Sequence, residues 1–294
     1  MNPNIPTLSP VIAGCMRLGI WGANYNTQQY LEFIEGCLDI GVTTFDHADI
    51  YGDYTTEADF GKALKEKPAL REQLQLITKC SIQRVCPQRP AYQVKAYDSS
   101  AEHIIESVNN SLRDLNTEYI DVLLLHRPDY LMHPEEVATA FTQLHGQGKV
   151  QWLGVSNFST SQFDLLNTYV PLVTNQIQVS LFHRNAFDDG TLDQCMTHGI
   201  PPMAWSPLHG GSWREDAELM HRLQPVLADV CSEYGITETQ ALLAFVNTHP
   251  AGILAITGTT KVNRVKEAVD ASNITFTRQQ WYALWQAATG HKIP

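Results

Sequence analysis

Short runs of apolar, often β-branched residues recur eight times along the chain, at residues 11–16, 43–48, 74–79, 120–126, 152–156, 174–179, 202–205 and 252–257. Turn-forming residues bound them, and none alternates strictly between apolar and polar positions. Strands that are apolar throughout are buried on both faces, as parallel strands are between a core and a layer of helices. The stretches between them have helical spacing. Tyr30, Leu31, Ile34 and Leu38 fall on one helical face, as do Ile104, Ile105, Val108, Leu112 and Leu115. Ser99-x-x-Glu102, Ser159-x-x-Gln162 and Thr237-x-x-Gln240 read as capping boxes, whose hydroxyl and carboxylate or amide satisfy free N–H groups of a first helical turn.

Eight strand–helix alternations, undivided by any Pro-rich or Gly/Ser-rich linker, predict an α/β fold of the (β/α)8 type, with residues 1–294 forming a single domain. A doubly wound sheet would also alternate, but the dinucleotide fingerprint Gly-x-Gly-x-x-Gly is missing after the first run. With 44% hydrophobic and 17% charged residues the chain is neither disordered nor low-complexity. Its 20 Lys and Arg stand against 31 Asp and Glu, a net charge of −11, and the basic residues are scattered, so nucleic acid is not expected as a partner. No apolar run approaches the roughly 20 residues of a membrane-spanning helix. The start, Met-Asn-Pro-Asn-Ile-Pro, lacks the basic and apolar regions of a secretory signal. The expectation is a cytoplasmic protein with no membrane partner. Its six cysteines contain no Cys-x-x-Cys pair, which predicts reduced, mostly packed thiols and no metal site.

In a barrel the chemistry belongs at the C-terminal ends of the strands and on the loops beyond them. There the second run ends in Phe45-Asp46-His47-Ala48-Asp49-Ile50-Tyr51-Gly52, the third in Ile77-Thr78-Lys79-Cys80, and the fourth in Leu124-Leu125-His126-Arg127-Pro128. Any one of these ionisable groups could be an ordinary buried ion pair or capped strand end. Asp46, Tyr51, Lys79 and His126 together are harder to explain that way. In order and strand position they resemble the Asp, Tyr, Lys and His of the aldo-keto reductase superfamily, including the Asp-x-x-x-x-Tyr spacing. The likeness runs from residue 8 to about 288. It includes Gly14-Cys15-Met16-Arg17-Leu18-Gly19, Gly154-Val155-Ser156-Asn157-Phe158, Asn175-Gln176, and Gly258-Thr259-Thr260-Lys261 followed by Arg264 and Glu267.

The resemblance implies NADPH-dependent reduction of a small-molecule aldehyde or ketone. It makes Asp46, Tyr51, Lys79 and His126 catalytic, and assigns cofactor contacts to Met16, Arg17, Ser156, Asn157, Gln176, Trp205, Ser206, Pro207, Leu208, Gly258, Thr259, Thr260, Lys261, Arg264 and Glu267. The chemistry of the four can be argued independently. Reduction needs hydride at the carbonyl carbon and a proton for the developing alkoxide. Tyrosine, with an ordinary pKa of about 10, is a poor donor, and a nearby lysine ammonium should lower that value while a buried carboxylate keeps the lysine charged. His126 can polarise the carbonyl oxygen. Ser156, Asn157 and Gln176 are implied to hold the nicotinamide carboxamide, with Trp205 stacking where relatives commonly place tyrosine. After the last run, a helix N-terminus with Lys261 and Arg264 suits a phosphate, which favours NADP over NAD.

The stretches 82–98 and 209–218 read as long loops overhanging the active face. His47 could be a packing or a pocket residue. The last helical segment is expected at 278–288 with no long loop after it, which predicts an open site with loose substrate preference. Two other readings compete. One is a Schiff-base lyase with Lys79 as nucleophile, which would need a neutral lysine. The other is a cofactor-binding sensor or auxiliary subunit on the same barrel.

Overall fold

The computed structural model describes residues 5–293. Eight parallel strands close into a barrel. They are β1 (Val11–Gly14), β2 (Thr44–Asp46) and β3 (Gln75–Cys80), then, after a small hairpin of β4 (Ile82–Gln83) and β5 (Ala96–Tyr97), β6 (Ile120–Leu125), β7 (Val150–Ser156), β8 (Asn175–Gln178), β9 (Met203–Trp205) and β10 (Leu254–Thr257). Each of the eight apolar runs supplies one barrel strand. The seam is formed by β1 against β10, with Val11 opposite Ala255, Ile12 opposite Ile256 and Ala13 opposite Thr257.

The helices are α1 (Thr27–Asp39), α2 (Thr56–Glu66), α3 (Ala101–Asp114), α4 (Pro134–Gly146), α5 (Thr160–Asn167), α6 (Asn185–Asp188), α7 (Thr191–His198), α8 (Ala217–Tyr234), α9 (Glu238–Asn247), α10 (Val262–Ala271) and α11 (Arg278–Thr289). Ile12, Ile77, Val122, Leu124, Met203 and Ile256 fill the barrel's interior. Neighbouring strand residues such as Val11, Ala13, Phe45, Leu76, Leu123 and Val155 point outward under the helices. Both faces of each strand are therefore dry, which is why the runs are apolar throughout. At the N-terminal end of the strands, Arg71 holds the scaffold. Its guanidinium binds Asp121 at 2.7 Å, Thr117, and the carbonyls of Leu74 and Tyr119.

Ser159 with Gln162 and Thr237 with Gln240 form the expected reciprocal boxes, and Asn26 with Gln29 and Thr277 with Gln280 form two more. The third expected box is displaced. Helix α3 is capped by Ser100, whose hydroxyl accepts from the His103 amide, while Ser99 gives its amide and hydroxyl to Asp129. Glu102 therefore falls one position short of the box, and His103, in the position facing the cap, has no carboxylate to reach back. The supposed loops carry structure of their own. Residues 82–98 contain the β4–β5 hairpin, and 209–218 contain a 3-10 turn, His209–Glu215, running into α8. Among the described residues no helix is long and apolar enough to cross a membrane, and no group of three or more His, Cys, Asp or Glu is placed to hold a metal ion. All six cysteines are free.

Candidate active site

A cavity of about 940 Å³ opens at the C-terminal face of the barrel, a size suited to a cofactor together with a small molecule. Asp46 ends β2, Lys79 lies in β3, and His126 follows β6 directly, so three adjacent strand ends converge on it. Tyr51 reaches the same point from the turn after β2, its ring at 6.0 Å and 79° from that of His126. Lys79 is 1% exposed, and its ammonium donates to both Asp46 oxygens at 2.7 Å, to the His47 carbonyl at 2.7 Å, and to the Tyr51 hydroxyl at 3.1 Å. Asp46 also accepts from Gln176 at 2.8 Å. Burial pulls the Lys79 pKa down, but the negative partners around it outweigh that and leave it above its ordinary value. The lysine is a fixed cation.

Tyr51 departs from the sequence expectation. Burial pushes its pKa up to about 12, and the opposing pull of Lys79 does not overcome it. In the protein alone Tyr51 is thus a fully protonated phenol. His126 is held well below its ordinary pKa, first by burial and then by the positive charges of Lys79, Arg127 and Lys95, so it is a neutral imidazole; its Nδ1 is buried without a partner. His47 is wholly buried edge-on against Phe60, ring centroids 4.5 Å apart, with its pKa lowered to about 3 by burial and Lys79. That settles it as a packing residue.

Along the cavity wall from these groups, Asn157 and Ser206 follow β7 and β9 with left-handed backbones, φ 61° and 51°, a conformation that non-glycine residues hold mainly where a site requires it. The Asn157 amide donates to Ser156 Oγ at 2.7 Å, and its oxygen accepts from Trp205 Nε1 at 2.9 Å. With Gln176, this group offers a planar amide both donors and acceptors. At the far end, α10 begins with no side-chain cap and no acid in its first turn, leaving free N–H groups beside Arg264. Gly210 and Gly211, at φ 67° and 83°, line the wall between, and a Cβ at Gly210 would meet nothing within 4 Å. Amide groups at one end and an uncapped helix start with a guanidinium at the other fit a long ligand carrying a carboxamide and phosphates.

Met16, Arg17, Pro207, Leu208, Gly258, Thr259 and Glu267 also line the cavity, with Asp46, Tyr51, His126, Ser156, Asn157, Gln176, Trp205, Ser206 and Arg264. Lys79 lies beneath the wall. Thr260 and Lys261 do not line it. The Thr260 carbonyl is taken by the Tyr25 hydroxyl, and Lys261 is the exposed residue preceding α10. Sequence reasoning missed Trp21, Arg84, Lys95, Arg127 and Arg214 on the wall. Their only signal was position on loops beyond strand ends.

A parallel eight-stranded barrel with a buried, hydrogen-bonded Asp–Lys–Tyr group at a long cavity is consistent with a (β/α)8 oxidoreductase. The chain belongs to the Aldo/keto reductase family, whose profile matches residues 10–288. It is 46% identical over 290 residues to the uncharacterized oxidoreductase YcsN of Bacillus subtilis, covering 97% of this chain and 96% of that one. It is 40% identical over 288 residues to a 6-dehydroglucose reductase of Agrobacterium fabrum, covering 97% and 96%. Among solved structures, an aldo/keto reductase from Klebsiella pneumoniae in complex with NADP and acetate superposes with a TM-score of 0.78 at 27% identity, covering 98% of this chain and 93% of that one.

Proposed function

We propose that the protein reduces aldehydes or ketones to alcohols using NADPH, with Tyr51 as proton donor. The observation that carries this is the contact set of Lys79, which joins a carboxylate on one side to a cavity-lining phenol on the other. Bound NADPH supplies the hydride to the carbonyl carbon. The carbonyl π electrons move to oxygen, and the Tyr51 proton follows to that oxygen, leaving a phenolate. The Lys79 ammonium 3.1 Å away stabilises that phenolate, and Asp46 keeps the ammonium charged and aimed. A phenol that is protonated at neutral pH is the state a donor must start from, so the raised Tyr51 pKa suits the reductive direction. Neutral His126, with its proton on the cavity-facing nitrogen, donates to the carbonyl oxygen and orients it toward Tyr51. Ser156, Asn157 and Gln176 would hold the carboxamide of the bound cofactor, and Arg264 with the start of α10 would hold a phosphate. A Schiff-base role for Lys79 is disfavoured, because an amine held as a cation by two carboxylate oxygens has no lone pair to attack with. The relative named 6-dehydroglucose reductase is a reductase by name, which supports the same reaction class.

The test is single-turnover hydride transfer from saturating NADPH to a carbonyl panel, for the wild type and Tyr51→Phe. The variant keeps the ring and its packing and loses the proton. The rate should fall by roughly 10²- to 10⁴-fold with NADPH affinity nearly unchanged. Transfer within a few-fold of wild type would remove Tyr51 as donor.

A further inference from the structure

The catalytic end of the cavity carries more positive charge than the proposed reaction uses. Arg84, Lys95 and Arg127 all line it in a chain whose net charge is −11. They lie away from the phosphate-binding end, where Arg264 stands. Arg84 stacks over Trp21 at 4.7 Å, and Trp21 lies 6.3 Å from the Tyr51 ring. Arg127 follows His126 in sequence and stands 5.7 Å from the Trp205 ring. The charges of Lys95 and Arg127 are both felt by the His126 ring.

Arg84 and Lys95 flank the hairpin immediately beyond its last paired residues, Gln83 and Ala96, where the Arg84 N–H donates to the Tyr54 hydroxyl and the Lys95 ammonium stands 5.9 Å from the Tyr97 ring. Nearby carboxylates do not neutralise all three cations. Asp53 binds Arg84 Nε at 2.7 Å, which leaves the rest of the guanidinium free to donate. Asp98 is turned to Gln83 and the Ser100 amide, and Asp129 to Ser99 and the Leu131 amide. Among the described residues, neither Lys95 nor Arg127 has a carboxylate within 4.0 Å, while the cavity's own acids are Asp46, neutralised by Lys79, and Glu267 on α10.

We propose that Arg84, Lys95 and Arg127 form a subsite for an anionic group on the substrate, so that the preferred substrates are small carbonyl compounds carrying a carboxylate or a phosphate. This rests on the reductase reading and specifies it. The anion bridges the hairpin cations and Arg127, placing the carbonyl between Tyr51 and His126. Charge-assisted hydrogen bonds to such a group lower KM and align the reacting carbon.

The test compares matched pairs at saturating NADPH: 4-oxobutanoate against butanal, and glyceraldehyde 3-phosphate against glyceraldehyde. The expected result is kcat/KM at least about tenfold higher for the charged member of one pair, and the pair that responds identifies the anion. That ratio should shrink several-fold in Lys95→Gln and in Arg127→Gln and approach one in the double variant. A second arm needs no turnover: succinate and inorganic phosphate are titrated into the NADP+ complex by tryptophan fluorescence, and at least one should bind the wild type and not the double variant. Equal kcat/KM within both pairs, or a charge preference that survives in the double variant, would overturn the anion subsite and leave the reductase intact. Binding of succinate or phosphate that the double variant abolishes, with no NADPH consumed on any aldehyde, would support the subsite and overturn the reductase.

Discussion

Arg264 stands in the first turn of α10, where the helix leaves its N–H groups uncapped, and it lines the cavity. On the proposed reading, a guanidinium there distinguishes a cofactor with an additional phosphate from one without it. Arg264→Ala should weaken NADPH binding by about tenfold or more and change NADH binding little, measured by fluorescence titration of both cofactors. Similar losses for both would assign Arg264 to the shared diphosphate. Residues fixed to strand ends, Asp46, Lys79 and His126, were legible in the sequence because an apolar run states where its strand stops. Thr260 and Lys261 fall outside the cavity lining for a different reason. They precede α10 by one or two residues, where a few backbone angles decide whether a side chain enters the cavity or faces solvent. Tyr51 was found, but its raised pKa was not, since burial is a property of everything packed around it.

Helix starts taught a similar lesson one level up. Ser99 and Ser100 are adjacent hydroxyls, and either could cap α3; the choice fell to Ser100 because Asp129, thirty residues away, takes the amide and hydroxyl of Ser99. No local pattern carries that information. The crossing of α2 and α3 shows the same dependence on distant backbone. Gly61 faces the end of α3 so closely that an added Cβ would lie 2.0 Å from the Asp114 carbonyl oxygen and within 2.9 Å of the Leu115 backbone. Backbone cannot swing aside as a side chain can, so the helices must separate. Gly61→Ala should destabilise the protein by at least ~2 kcal/mol, despite the higher helix propensity of alanine, seen as a lower urea midpoint at unchanged slope. An unchanged midpoint would mean that the two helices can part at no cost.

For the molecule as a whole, the closed barrel was legible because eight runs apolar on both faces require helices outside and a filled interior. Its electrostatics were not. Glu57 is buried beneath the site, accepting hydrogen bonds from Thr78 and Ser111, and burial pushes its pKa from 4.5 to about 7. Between those values the folded protein keeps a proton that the unfolded chain has released. The stability tied to Glu57 is therefore fully present below about pH 4.5 and is lost as pH rises through about 7, a change of roughly 3 kcal/mol. Glu57→Gln should remove that slope, so the difference in unfolding free energy between wild type and variant should shift toward the variant from pH 5 to pH 8; a constant difference would mean that Glu57 is ionised in the fold throughout. Closure of the barrel has a consequence for the order in which the protein is made. Asp46, Tyr51, Lys79 and His126 have all emerged by position 126, yet β1 waits for Leu254–Thr257 to leave the ribosome before it has both neighbours. Until then the nascent chain holds the Asp46–Lys79–Tyr51 cluster without the α10 end of the cavity, and the last strand seals the barrel only after every other strand has been made.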